Sequence, residues 1–167
     1  ITISNSTATA ALYGLSLERE AKAINSGNIT ISNISGKNVY GIYGINKKND
    51  EYLDGSGVIL NSGNIEISDA TGDNVYGIYA DQYKIKNTGN ITLSNVNESS
   101  SYGIYAINGS KVYNSGTITI NGKSYNKNEA DGKFIYIDSS SSMINESEIT
   151  ASTAFDTAAL GGGKFVL

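Results

Sequence analysis

NSGNITISNISGKNVYGIYG, residues 25–44, holds two short apolar runs joined by a polar one, and both recur down the chain. The first run returns as NSGNIEI from Asn61, NTGNITL from Asn87, NSGTITI from Asn114 and a decayed NESEITA from Asn145, at spacings of 36, 26, 27 and 31 residues. The opening ITI, Ile1 to Ile3, reads as the tail of a further copy. The second run is YGLSL from Tyr13, YGIYG from Tyr40, YGIYA from Tyr76 and from Tyr102, and FIYID from Phe134. A third short run leads back to the Asn as KAIN, VILN, KIKN, KVYN and SMIN. The unit is therefore three short strands in about 27 residues.

Within each run the apolar period is two, which assigns faces. Ile29 and Ile31, Ile65 and Ile67, Ile91 and Leu93, and Ile118 and Ile120 point inward, while Thr30, Glu66, Thr92 and Thr119 point to water. Ala23, Ile59, Ile85, Val112 and Met143 share a face with the Asn two residues on. In the second run Ile42, Ile78, Ile104 and Ile135 are read as inward, together with the Tyr two residues earlier. That leaves Tyr43, Tyr79, Tyr105 and Tyr136 as an outer ladder, and the opposite register stays open.

Three strands of this length cannot bury their own apolar face, whereas stacked copies can, each strand pairing in parallel with its equivalent one rung away. The fold expected is an all-β parallel β-helix of about five rungs, some 24 Å tall at the usual strand spacing. Asn25, Asn61, Asn87, Asn114 and Asn145 then form a structural ladder. Gly27, Gly63, Gly89 and Gly116, two places later, are expected at corners that need positive φ. A propeller blade needs about 40 residues and four strands, and a leucine-rich repeat needs a Leu frame that is missing here.

Composition narrows the function. The 167 residues carry 12 Lys and Arg against 16 Asp and Glu, for a net charge of −4. No basic face suited to nucleic acid is expected. The chain has no His and no Cys, which removes the commonest general base, thiol nucleophiles, disulfides and thiolate zinc sites. No run reaches the roughly 18 apolar residues of a membrane span. The chain opens on ITISN without a basic leader and ends on Phe165-Val166-Leu167, which starts like another strand, so residues 1–167 read as a single β-helix segment excerpted from a longer protein.

Candidates for chemistry are sparse. Asp69 and Asp73 share a corner, but their counterparts in the next copy are Asn95 and Ser99. A glycosidase-type dyad needs two carboxyls at a fixed separation, and solvated turn aspartates are the preferred reading. The acidic stretch Asn46 to Gly57 has oxygen-rich neighbours but no calcium-loop spacing. No cofactor or metal is called for. Two departures from the repeat are more informative, the insertions at 44–57 and 121–133. Insertions in solenoids map to loops that project and often bind. Candidate binding residues are Lys47, Lys48, Asp50, Glu51, Tyr52 and Asp54 in the first, and Tyr125, Lys127 and Glu129 in the second.

The tandem NxGNITI and YGIYA runs resemble the passenger domain of type V autotransporters of Gram-negative bacteria, and the Asn-, Lys-, Ile- and Tyr-rich usage is similar to large fusobacterial autotransporter adhesins. The resemblance covers nearly the whole chain as a repeat pattern. It implies a right-handed β-helix shaft displayed outside the outer membrane through a C-terminal β-barrel that this chain lacks, the only link to a membrane. It also implies a non-catalytic role in attachment to a host receptor, a glycan or partner bacteria. Two other readings stand beside it, a carbohydrate-active β-helix enzyme and a plain spacer. Unpaired strand edges at both ends of the stack give a further expectation, end-to-end self-association.

Overall fold

The computed structural model describes residues 1–48, 51–53 and 57–153, with side chains up to residue 149. In chain order the elements are β1 (Thr2–Glu18), β2 (Lys22–Asn25), β3 (Ile29–Ile45), β4 (Lys47–Lys48), β5 (Glu51–Tyr52), β6 (Gly57–Asn61), β7 (Ile65–Thr71) and β8 (Asn74–Asp81). They continue as β9 (Tyr83–Asn87), β10 (Ile91–Ser94), β11 (Ser101–Ile107), β12 (Lys111–Asn114), β13 (Ile118–Ile120), β14 (Lys123–Tyr125), β15 (Ile135–Ile137), β16 (Ser142–Met143) and the helix α1 (Glu146–Thr153).

Equivalent residues of successive copies pair in parallel. Ile29 lies beside Ile65, Ile65 beside Ile91, and Ile91 beside Ile118. The third runs stack in the order β16-β12-β9-β6-β2. The chain is thus an all-β parallel solenoid of about five turns. Its axis is filled by Ile29, Ile31, Ile42, Ile59, Ile65, Ile67, Ile78, Ile85, Ile91, Leu93, Ile104 and Ile118, all fully buried. Burying one such side chain stabilises the fold by about 1.5–3 kcal/mol.

The first and second runs were expected as separate strands, yet they form one continuous sheet that turns a corner. β1 and β3 each extend through 17 residues, so β3 pairs with β7 along its first half and with β8 along its second. The turn is made by Asn5, Asn33, Asp69, Asn95 and Asn121, whose φ angles lie between 46° and 54°. Asn and Asp tolerate this left-handed region because a short polar side chain can bond locally. Here they also bond to one another, Asn33 to Asn5 at 3.2 Å and Asn95 to Asp69 at 2.8 Å.

The motif glycines serve another purpose than the one expected. None of Gly27, Gly63, Gly89 and Gly116 has a positive φ. A Cβ on Gly63 would overlap the carbonyl oxygen of Gly27, one on Gly89 that of Gly63, and one on Gly116 that of Gly89. These glycines let backbone stack directly on backbone at the entrance to each first strand.

Beside them runs the Asn column. The Nδ2 of Asn25 donates to Asn61 Oδ1 at 2.7 Å, Asn61 to Asn87 at 2.7 Å and Asn87 to Asn114 at 2.8 Å. Asn61, Asn87 and Asn114 also donate to the carbonyl of their own motif Gly, each at 2.9 Å. Asn145 does not join this column. It is exposed and stands at the start of α1, where its N–H donates to Glu148 Oε1 at 3.0 Å and its carbonyl accepts from Glu148 and Ile149. The copy departs from the motif at Glu146, Ser147, Glu148 and Ala151, and the residue two places on carries a steric conflict. The motif Gly is replaced by Ser147, whose Cβ could not sit over Gly116 as glycine does. The would-be strand of NESEITA instead turns helical, with Glu146 and Glu148 favourably placed in its first turn.

The C-terminal face is not left as open edge throughout. Residues of the second insertion form β14, which pairs antiparallel with β13 and covers the last first-run strand.

The candidate recognition face

YGIY breaks its own alternation. Val39, Ile42 and Gly44 face the interior, and so does Gly41, whose added Cβ would strike Ile65 and the Gly77 carbonyl. Two consecutive inward positions, Gly41 and Ile42, shift the register, so that Tyr40 and Tyr43 emerge on the same outer side. The inward placement expected for Tyr40, Tyr76 and Tyr102 is therefore corrected. They lie outside the Ile core in a second column next to the first, made possible by a glycine that has no side chain to bury. Tyr40 and Tyr76 are buried there at 8 % exposure under the neighbouring rings, and of the three only Tyr102 is partly exposed.

The two columns interlock. Tyr13, Tyr40, Tyr76 and Tyr102 stack with centroid separations of 5.1, 5.2 and 6.0 Å. Tyr43, Tyr79, Tyr105 and Tyr136 stack at 5.3, 5.6 and 4.5 Å. Between columns the rings meet edge to face, as in Tyr40–Tyr43 at 4.9 Å and Tyr76–Tyr105 at 5.3 Å. Such pairs add about 0.5–1.5 kcal/mol each beyond burial. Because neighbouring rings occupy one another's faces, the surface offers ring edges and hydroxyls rather than open aromatic platforms. Among the described residues, the hydroxyls of Tyr40, Tyr43, Tyr76 and Tyr79 make no hydrogen bond within the protein. Burial raises Tyr76 to about 12 and pushes Tyr40, Tyr43, Tyr79 and Tyr105 upward too, so these five stay neutral at physiological pH.

The first insertion lies beside this array. Lys47–Lys48 and Glu51–Tyr52 form a small antiparallel hairpin, with the Lys47 ammonium 4.4 Å from the centre of the Tyr52 ring. The expected projecting loop is held down instead. The Tyr52 hydroxyl donates to Asp81 Oδ2 at 3.0 Å and accepts from Asn108 Nδ2, which also donates to Asp81 Oδ1 at 2.9 Å. Gln82 Nε2 holds the Leu53 carbonyl at 2.8 Å. The hairpin thus reaches two rungs along the shaft, and its anchor Asp81 is among the charges that act on Tyr43 and Tyr79. Lys48 and Glu51 are exposed on its outer side. Asp50 and Asp54 lie outside the described residues.

The second insertion behaves as a lid on the stack. Tyr125 lies flat on Phe134 at 5.4 Å and packs against the core, and its hydroxyl donates to the Glu129 carbonyl at 3.1 Å. Asn128 takes the place Asn145 was expected to fill. Its Oδ1 accepts from the Asn114 N–H at 2.8 Å and its Nδ2 donates to the Ile144 carbonyl at 2.9 Å. The Lys127 carbonyl receives the last donor of the ladder, Asn114 Nδ2, at 3.4 Å. Lys123 and Lys133 converge on Glu98 at 3.0 and 3.2 Å, holding its carboxyl below the usual range. Tyr125 and the backbone of Lys127 and Glu129 are thereby committed to closing the end of the stack. The first insertion, by contrast, presents side chains next to the tyrosines.

Several carboxylates are engaged structurally. Asp69 accepts from Asn95, and Asp131 gathers the N–H groups of Lys133, Phe134 and Ile135 at 2.8–3.1 Å. Asp138 accepts from the Asn108 N–H at 2.9 Å. Among the described residues no three acidic side chains cluster in a metal-holding arrangement. Sequence reasoning missed Asp81 and Asn108, the anchors of the hairpin. The signal was present for Asp81, which stands in register with Ile45 and Ile107 and breaks an apolar column.

A family model described as the BigA third pectate lyase-like domain matches residues 2–114. The matched span contains the first insertion and every ladder tyrosine but Tyr136, and it stops short of the second insertion. No curated protein and no solved structure matches the chain.

Proposed function

Since the chain belongs to the family of BigA third pectate lyase-like domains, β-helix domains of bacterial surface proteins, we propose that it is a non-catalytic recognition segment of an autotransporter adhesin. It attaches the cell to a host-surface receptor or glycan, or to other bacteria. The observation that carries this reading is the continuity of one face, the double tyrosine column with the Tyr52 hairpin fastened beside it through Asp81 and Asn108. Rigid tyrosines give contact area at low entropic cost, and their hydroxyls supply hydrogen bonds. The engagement of Asp69, Asp131 and Asp138 in corners supports the absence of catalysis, since those carboxylates hold backbone and side chains of the scaffold.

The test is binding of the chain to epithelial cells and to partner bacteria, alongside a variant with residues 46–56 replaced by a short Gly-Ser turn. The reading expects binding by the parent chain and a loss of at least tenfold in the variant, with the β signal unchanged by circular dichroism. Binding by neither would make the segment a spacer and overturn the proposal. Turnover of a polysaccharide by the parent chain would overturn its non-catalytic part.

A further inference from the structure

The chain has no Cys, no Trp and no His, and one Met among its 167 residues, against 12 Tyr. Tyrosine is thus its principal oxidisable side chain, and eight of the tyrosines form one contiguous array in which stacked neighbours lie no further than 6.0 Å apart. The closest stacked pair is Tyr105–Tyr136, with centroids 4.5 Å apart and planes 12° from parallel. Both rings are half-buried, so that solvent reaches their edges. The other aromatic residues are less suited. Tyr83 is fully buried, and Tyr125 stacks on Phe134, which cannot form a phenoxyl radical.

We propose that the tyrosine columns are a site of oxidative rung-to-rung cross-linking, with Tyr105 and Tyr136 the pair that couples first. The oxidant is a peroxidase supplied with hydrogen peroxide. It removes one electron from each phenol while each hydroxyl proton passes to water, leaving two phenoxyl radicals. These join through the ring carbons ortho to oxygen, and the two ortho hydrogens move to the oxygens to restore both phenols. The product is two hydrogens lighter, and one peroxide becomes two waters. A radical formed elsewhere in the array can pass from ring to ring to this pair. The new bond fastens β15, just three residues long, to β11.

The experiment treats dilute folded chain with horseradish peroxidase and hydrogen peroxide, then reads dityrosine fluorescence, intact mass and linked peptides. The expected result is a monomer lighter by two hydrogens, with the peptide bearing Tyr105 joined to that bearing Tyr136. Tyr136→Phe keeps the stacked ring and should slow dityrosine formation several-fold, whereas Tyr113→Phe, off the array, should leave the rate unchanged. Links only between chains would overturn the proposal. So would the same linkage pattern in urea-unfolded chain, or equal rates in the two variants.

Discussion

Gly27 and Gly63 occupy the same place in successive copies, yet an added methyl group meets different surroundings. Nothing lies within 4 Å of a Cβ on Gly27, while one on Gly63 overlaps the Gly27 carbonyl. Gly27→Ala should therefore leave the urea midpoint nearly unchanged, and Gly63→Ala should cost about 3 kcal/mol, the upper end for overpacking, because a backbone carbonyl cannot swing aside. Asn87 gives a second contrast. It is fully buried, donates to Asn114 and Gly89 and accepts from Asn61. Asn87→Ala strands those partners and should cost about 3 kcal/mol by equilibrium unfolding, against about 1 kcal/mol for the half-buried Asn25. The Asn column was legible from Asn25 to Asn114 because the same residue opens each copy of the motif, and equivalent positions of strands paired in parallel stack whatever the length between them. The role of the glycines was not, because a stacked backbone and a positive φ both demand glycine and leave the same letter in the sequence.

At the scale of elements, period two placed the apolar faces of the first and third runs, since a one-residue slip would have exposed every Ile. It misplaced Tyr40, Tyr76 and Tyr102, because the Gly inside YGIY absorbs one step of the alternation and a period argument has no term for it. The helix at Glu146–Thr153 was hidden for a related reason. NESEITA keeps the alternation of a strand only in part, and among its exchanges Ser147 for Gly puts a Cβ where the earlier copies stack backbone on backbone. The docked hairpin and the capping insertion rest on partners far away in sequence, Tyr52 on Asp81 and Asn108, Asn128 on Asn114 and Ile144. The second of these gives a prediction. Asn128→Ala should destabilise the chain by about 2 kcal/mol. It should also speed amide exchange at Asn114, while cell binding stays as in the parent because the cap is not part of the recognition face.

For the molecule as a whole, the tyrosine columns couple stability to alkaline pH. Burial raises Tyr76 from 10.0 to about 12 and raises Tyr40, Tyr43, Tyr79 and Tyr105 in the same direction. Below pH 10 both folded and unfolded chains keep these protons, so the stabilisation is fully present. Above it the unfolded chain releases them first, and stability falls as pH climbs towards the folded values. Urea midpoints should thus be level up to about pH 9 and decline beyond pH 10, and tyrosinate absorbance should rise together with loss of β signal. Replacing Tyr43, Tyr79 and Tyr105 by Phe keeps every ring in its stack and removes three hydroxyls from the outer surface. The most direct measurement is therefore titration of that triple variant onto epithelial cells and partner bacteria beside the parent chain. At about 1 kcal/mol per lost hydrogen bond, affinity should fall by more than tenfold with the thermal melt undiminished. Undiminished affinity in the triple variant would contradict recognition through the tyrosine face.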